Sequence, residues 1–365
     1  MINLDFMPSR QLALYAVKLF LTRSLAVLFA LVLVLMMLDL LGETGKILAV
    51  PGNGDAELWR YVSLRVPLLV SRFLPFSVLL GALIAFTALN QHSEVVSMKA
   101  AGLSAHQILA PMIAASVGVA IALFAFNEMV AVHSARMVNA WSDADYRPIP
   151  PESNILSNVW IRDGEDLVRA RHVGGRGRDT HLENLTIYER EGGALTRVTD
   201  VERADQVPGG WRLQKLSTYD ARMNIVSTRE EATGLLGVDP TRFTLAKVDP
   251  AERDFMALRE AITDLEAAGR PSEEARTGWW HKISGPLSTV LMPLLAATAA
   301  FGLARSGKVL LRATVGMALG FAYFVADNFS LALGNIGAYP PVLAAWAPFF
   351  LFLLIGELVL IRSEE

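Results

Sequence analysis

The chain has 365 residues, 53% of them hydrophobic, with a mean hydropathy of +0.37 and a formal net charge of −3. That apolar content is too high for an ordinary soluble enzyme and points to several membrane spans, and the near-balance of charge excludes the basic field of a nucleic-acid binder. With no cysteine there is no disulfide framework, thiolate metal site or thiol nucleophile, and the six histidines have no zinc-ligand spacing.

The first apolar run is Gln11 to Leu41. A cleaved signal peptide is disfavoured, because Lys18 and Arg23 would leave an overlong charged region and no small-residue cleavage site follows. Both cations are expected to snorkel towards headgroups. Residues 42–60 are polar and glycine-rich, and Trp59 and Tyr61 mark a membrane interface. Tyr61 to Leu89 is the second span, with Pro67 and Pro75 inside it, and Ala105 to Val132 is the third.

Between the second and third spans, residues 90–104 read as a short helix with its own ends. Ser93 is expected to cap its start and Glu94 to favour the positive end of its dipole. Gly102 suits a left-handed stop, and Ser104 with Gln107 forms a capping box for the next span. Val95, Met98 and Leu103 offer apolar contacts, and Glu94 and Lys99 offer charge. The segment reads as a docking helix held between two spans; a helix lying on the lipid is the alternative.

From Ser134 to about Thr277 the chain is charged and carries no spanning run. Alternating apolar and polar residues, broken at Asp163-Gly164, Gly192-Gly193 and Pro208-Gly209, give successive hairpins and a small antiparallel sandwich or open barrel over about 150–250. Asp254 to Ala268, with Phe255, Leu258, Ile262 and Leu265 at helical spacing, returns the chain to the membrane. Three further spans follow: Trp279 to Leu303, Val309 to Leu333 and Pro341 to Ile361.

Six spans place both termini on one side, together with Arg10, Lys18, Arg23, Lys99, Arg305, Lys308, Arg312 and Arg362. By the positive-inside rule that side is cytoplasmic, so the β domain is extracytoplasmic, and periplasmic in a Gram-negative cell. The expected fold is an α-helical polytopic membrane protein of six transmembrane helices with an inserted periplasmic antiparallel β domain. Residues 1–133 hold the first three spans, with a coupling helix at 92–102. Residues 134–278 form the β domain with flanking helices, and 279–365 the last three spans.

Gly302 to Lys308 satisfies G-x-x-x-x-G-K, but Val309 stands where a P-loop needs Ser or Thr, and no strand precedes it. Nucleotide binding is rejected there. Gly174-Gly175-Arg176-Gly177-Arg178 reads as a hairpin loop, and Ser104 and His106 do not make a nucleophile and base. No catalytic constellation and no metal site is found. Asp327, about 15 residues into the fifth span, is a costly carboxylate that marks function or an interhelical hydrogen bond.

Three features together make the whole chain resemble the lipopolysaccharide-export permeases of the LptF/LptG type. These are Ser93-Glu94-Val95-Val96-Ser97-Met98-Lys99-Ala100-Ala101-Gly102, the order three spans, β domain, three spans, and Ala326-Asp327-Asn328 followed by Tyr339-Pro340-Pro341. Leu38 to Glu43 and the ending favour the LptG branch. The resemblance implies one subunit of an ABC transporter that extracts lipopolysaccharide from the outer leaflet of the inner membrane. Its partners would be a homologous LptF-type half, a cytoplasmic LptB-type ATPase dimer and a single-span LptC-type periplasmic bridge. It implies a jellyroll-like β domain stacked on that bridge. This chain would bind no cofactor, with ATP and magnesium residing on the ATPase. Ser93, Glu94, Val95, Met98, Lys99 and Gly102 would couple to the ATPase.

The first span lacks the lysines that family members carry near its outer end, reading Met36-Met37-Leu38-Asp39 with Lys46 beyond. Contacts to lipid A phosphates would then come from Lys46, Arg65, Arg72 or Arg136, or be supplied by the partner half, with Asp327 a further substrate-site candidate. The alternative pairs Arg72 with Asp39 or Glu128. Trp160, Val168, Leu185, Ile187, Trp211 and Leu213 are expected on one apolar face of the β domain, either a closed core or, as the resemblance implies, an open groove for acyl chains. The competing functions are another ATPase-driven extractor, such as a lipoprotein-release permease, and a non-transporting membrane scaffold.

Overall fold

A computed structural model describes residues 8–147, 156–175, 179–220, 224–235, 238–244, 248–267, 269–302 and 309–362. The long apolar runs become helices: α1 (Arg10–Leu48), α2 (Asp55–Gln91), α4 (Ala105–Phe126), α8 (Glu273–Gly302), α9 (Val309–Asn335) and α10 (Pro341–Arg362). The short α3 (Glu94–Ala100) lies between α2 and α4. A π turn, Asn127–Ala131, joins α4 to α5 (Val132–Asp143). Six helical stretches among the described residues are long and apolar enough to cross a membrane.

The chain divides into two compact units: residues 1–43, 59–135 and 250–365, and residues 44–58 and 136–249. In the first, α8 is the central span, with 78% of its apolar window buried, against 17% for α1 and 22% for α9. Ser284, Ser288, Thr289 and Thr298 of α8 are buried, and the hydroxyls of the last three bond to carbonyls of their own helix. α1 comes close to α2 at Ser24, where a Cβ on Gly81 would stand 2.5 Å from the Ser24 Cα. Only glycine lets the two backbones come so near. Helix α7 (Phe255–Ala267) turns Leu258, Ala261 and Leu265 inward at helical spacing, and Asp254 caps it by accepting from the Ala257 N–H at 2.8 Å.

The second unit is built on six antiparallel strands in sequential order: β1 (Leu156–Asp163), β2 (Asp166–Gly174), β3 (His181–Glu191), β4 (Ala194–Val207), β5 (Gly210–Asp220) and β6 (Ile225–Gly234). The turns fall at the three expected pairs. The alternation read as a small sandwich or open barrel resolves into this single sheet. Its core holds Val159, Val168, Leu185, Val201, Trp211 and Leu213, together with Val238 and with Phe243 of α6 (Thr241–Thr244).

The sheet carries a crease. Arg171, Asn184, Glu202, Lys215 and Glu230 form a row that drops out of every ladder in turn. Asn184 and Lys215 adopt left-handed backbone there, with φ of 50° and 53°. Across the row, the buried pairs Leu182 and Leu185, Ala204 and Val201, and Leu213 and Leu216 are separated by two residues, where a flat strand allows one. The row itself is exposed, with Lys215 bonded to Glu202 at 2.7 Å.

Candidate functional site

Helix α3 is closed at its far end by backbone bonds. The Leu103 N–H reaches the Met98 carbonyl at 3.1 Å and the Gly102 N–H the Lys99 carbonyl at 3.0 Å, with Gly102 at φ 90°. The capping box follows as expected: Ser104 Oγ accepts from the Gln107 N–H at 3.2 Å, and Gln107 Oε1 accepts from the Ser104 N–H at 3.0 Å.

The near end corrects the expectation. Ser93 does not cap with its side chain; it sits in left-handed backbone, φ 58° and ψ 15°. A capping serine needs extended backbone to aim its hydroxyl at the first free N–H groups. The Ser93 carbonyl instead takes the N–H and hydroxyl of Ser97, at 3.0 and 3.1 Å.

Val95, expected as an outward contact, is buried among Phe20, Ala105, Ile108 and Leu109, and Met98 and Leu103 pack against the same cluster. The outward face is Val96, Ser97, Lys99 and Ala100, with Val96 66% exposed. Glu94 is half-buried and accepts a hydrogen bond from Tyr15.

The cations proposed for phosphates do not share one environment. Arg65 grips Asp39 with two bonds, Nε to Oδ2 at 3.0 Å and Nη2 to Oδ1 at 2.9 Å, and the Tyr61 hydroxyl donates to the same Oδ2 at 2.7 Å. The partner of Asp39 is thus Arg65, not Arg72; Tyr61 is buried beside it, whereas Trp59 is exposed. Glu128 is also taken, by Lys282 Nζ at 2.8 Å and the Phe255 N–H. Arg72 is exposed on α2 and has no ion-pair partner among the described residues. In the second unit, Arg136 is half-buried on α5, and Lys46 lines an open cleft of about 830 Å³ with Ser142, Asp145 and Arg147. Asn53 ties the two walls of that cleft, donating to the carbonyls of Ile47 and Tyr146 at 3.0 Å each.

Asp327 is half-buried on α9, one turn beyond the buried Tyr323, whose ring packs edge-on to Phe352 at 5.4 Å. In the β domain Val168, Leu185, Trp211 and Leu213 are buried and Ile187 is half-buried on the apolar face. Trp160 belongs to the other face: it is opposite Arg169 in the ladder, 47% exposed, and stacked on Tyr188 at 5.6 Å. Trp211 donates to the Val238 carbonyl at 2.9 Å, so the segment that covers the face is bonded to it. His172, buried on β2, has its pKa lowered by burial, opposed by the nearby Glu183 carboxylate. Gly302 is the last described residue of the P-loop-like spacing, and Arg305, Lys308, Arg176, Arg178 and the Arg312 side chain lie outside the described residues.

Sequence comparison covers nearly the same span as these elements. Residues 14–362 match the family described as "Lipopolysaccharide export system permease LptF/LptG". The chain is similar to the lipopolysaccharide export system permease protein LptG of Escherichia coli, 27% identical over 314 residues that cover 83% of this chain and 85% of the relative. It is also similar to the LptG of Haemophilus influenzae, 25% identical over 328 residues, covering 86% and 89%. Six membrane-length helices, an inserted antiparallel β domain and a separately capped helix between the second and third spans agree with a match of that extent. The chain belongs to the LptF/LptG family of lipopolysaccharide export system permeases.

Proposed function

We propose that this permease subunit works as one half of a pair with a homologous half, driven by a cytoplasmic ATPase dimer that seats on α3. It extracts lipopolysaccharide from the outer leaflet of the inner membrane and passes it to a single-span periplasmic bridge. The termini and α3 are cytoplasmic and the β domain periplasmic, a reading supported by the positive-inside distribution of Lys and Arg. The observation that carries the ATPase contact is α3 itself. It is too short to be stable alone, it is fixed by Val95 and Met98 to the core, and it offers an outward strip of Val96, Ser97 and Lys99 beside Glu94.

For lipid A phosphates the candidates are Arg65 and Arg72 in the first unit and, separately, Lys46 and Arg136 in the second, and Asp39 already occupies the fork of Arg65. Acyl chains reach the apolar face of the β domain only after Val238 and Phe243 withdraw from it. The test is purification through a tag on this chain in mild detergent. Joint recovery of an ATPase, a second six-span protein and a single-span protein supports the reading; recovery of the chain alone under conditions that keep it folded overturns it.

A further inference from the structure

Among the described residues α1 is the least embedded span, so its position depends on few attachments. Two are the close approach of Ser24 to Gly81 and the bonding of Asp39 to Tyr61 and Arg65. The third joins α1 to α3. The Tyr15 hydroxyl donates to Glu94 Oε1 at 3.1 Å, and Ala16 and Phe20 beside it are buried in the same cluster as Val95. The other carboxylate oxygen, Oε2, takes no bond from the described residues.

We propose that Tyr15 is a positioning residue for energy coupling: its hydroxyl fastens α3 to α1 through one oxygen of Glu94, while the second oxygen is left for a cation on the docked ATPase. A displacement of α3 by the ATPase then reaches the first span directly through that bond, beside the apolar cluster that Val95 shares with Ala16 and Phe20. The proposal rests on α3 being the ATPase contact. A carboxylate serves both ends because its four lone-pair sites accept more than one donor.

The test uses the purified complex in liposomes, with lipopolysaccharide and ATP supplied, and reads ATP hydrolysis and lipopolysaccharide release separately. Tyr15→Phe removes one oxygen and is expected to keep complex recovery and hydrolysis within about twofold. It should lower lipopolysaccharide released per ATP by about fivefold, the effect of losing one net hydrogen bond. It should add nothing to Glu94→Ala, because the bond is already gone. An unchanged ratio in Tyr15→Phe, with Glu94→Ala impaired, sinks the tyrosine proposal and leaves the docking reading standing. Losses that multiply in the double variant also overturn it. A Glu94→Ala complex that assembles, hydrolyses and releases normally overturns both.

Discussion

Glu128 and Lys282 are bonded at 2.8 Å with only 16% and 12% of their side chains exposed, which pins the π turn after α4 to α8. The second oxygen of Glu128 takes the Phe255 N–H at the start of α7, and Phe255 stacks on Trp279 at 4.6 Å. One carboxylate therefore holds three helices. Removing one member leaves the other charge buried and unpaired, which costs more than the pair contributes. Lys282→Met is expected to lower the stability of the detergent-solubilised protein by about 3 kcal/mol, and Lys282→Met with Glu128→Gln to recover most of that loss. Thermal unfolding of the three variants checks it; equal losses in single and double variants would contradict the pairing.

Ser93 and Ser104 precede successive helices but have different duties. Ser104→Ala removes a capping oxygen and should cost about 1 kcal/mol, whereas Ser93→Ala should be nearly neutral. Ser93→Gly should protect the 94–100 amides, since glycine accepts φ 58° without the penalty serine bears. Hydrogen exchange over residues 93–108 reads all three, and a Ser93→Ala loss matching that of Ser104→Ala would restore serine as the cap.

At the crossing of α1 and α2, an added methyl meets backbone rather than a side-chain tip. The Ser24 N and Cα would lie 2.6 and 2.5 Å from a Cβ on Gly81. Gly81→Ala gains helix propensity yet is expected to destabilise by about 1–3 kcal/mol, as overpacking does. A rise in melting temperature would show that the crossing relaxes freely.

His172 gives the β domain a pH dependence. Burial lowers its pKa in the folded chain, so below the ordinary value of about 6.5 the unfolded chain binds more protons and stability falls. Stability from this source is complete above that pH and lost as pH drops through the lowered folded value. His172→Phe should flatten the slope between about pH 7 and pH 5. Hydrogen exchange of β2 and β3 in the full chain, corrected for intrinsic rates, provides the measurement.

A photoreactive residue at Ile187, which is half-buried, should capture lipopolysaccharide during ATP turnover if acyl chains pass over the apolar face. The same probe at Leu213 should react first with Val238 or Phe243, which share its buried cluster. Crosslinks confined to the protein at both positions would mark a closed core.

The spans, the short helix with its glycine stop and capping box, and the hairpin turns were legible because each rests on local chemistry: apolar length, caps and turn residues. What escaped was long-range or orientational. Nothing in the spacing of Asp39 and Arg65, or of Glu128 and Lys282, distinguishes those pairs from Asp39 with Arg72. Val95 and Met98 were apolar residues in a candidate interface, and only the fold shows that the core claims them first. Trp160 was placed by its hydrophobicity, yet the period of two along β1 turns it to the other face from its neighbours Val159 and Ile161, which are buried.

The crease in the sheet also fixes how the strands may change. Since every strand bends at the same rung, no strand can shift by one residue past its neighbour without carrying its bend out of line with the others. Insertions and deletions are thereby directed to the connections between strands, among them the turns at Gly164, Gly192-Gly193 and Gly209, and a one-residue deletion inside β3, β4 or β5 would carry that strand's bend out of line with its neighbours.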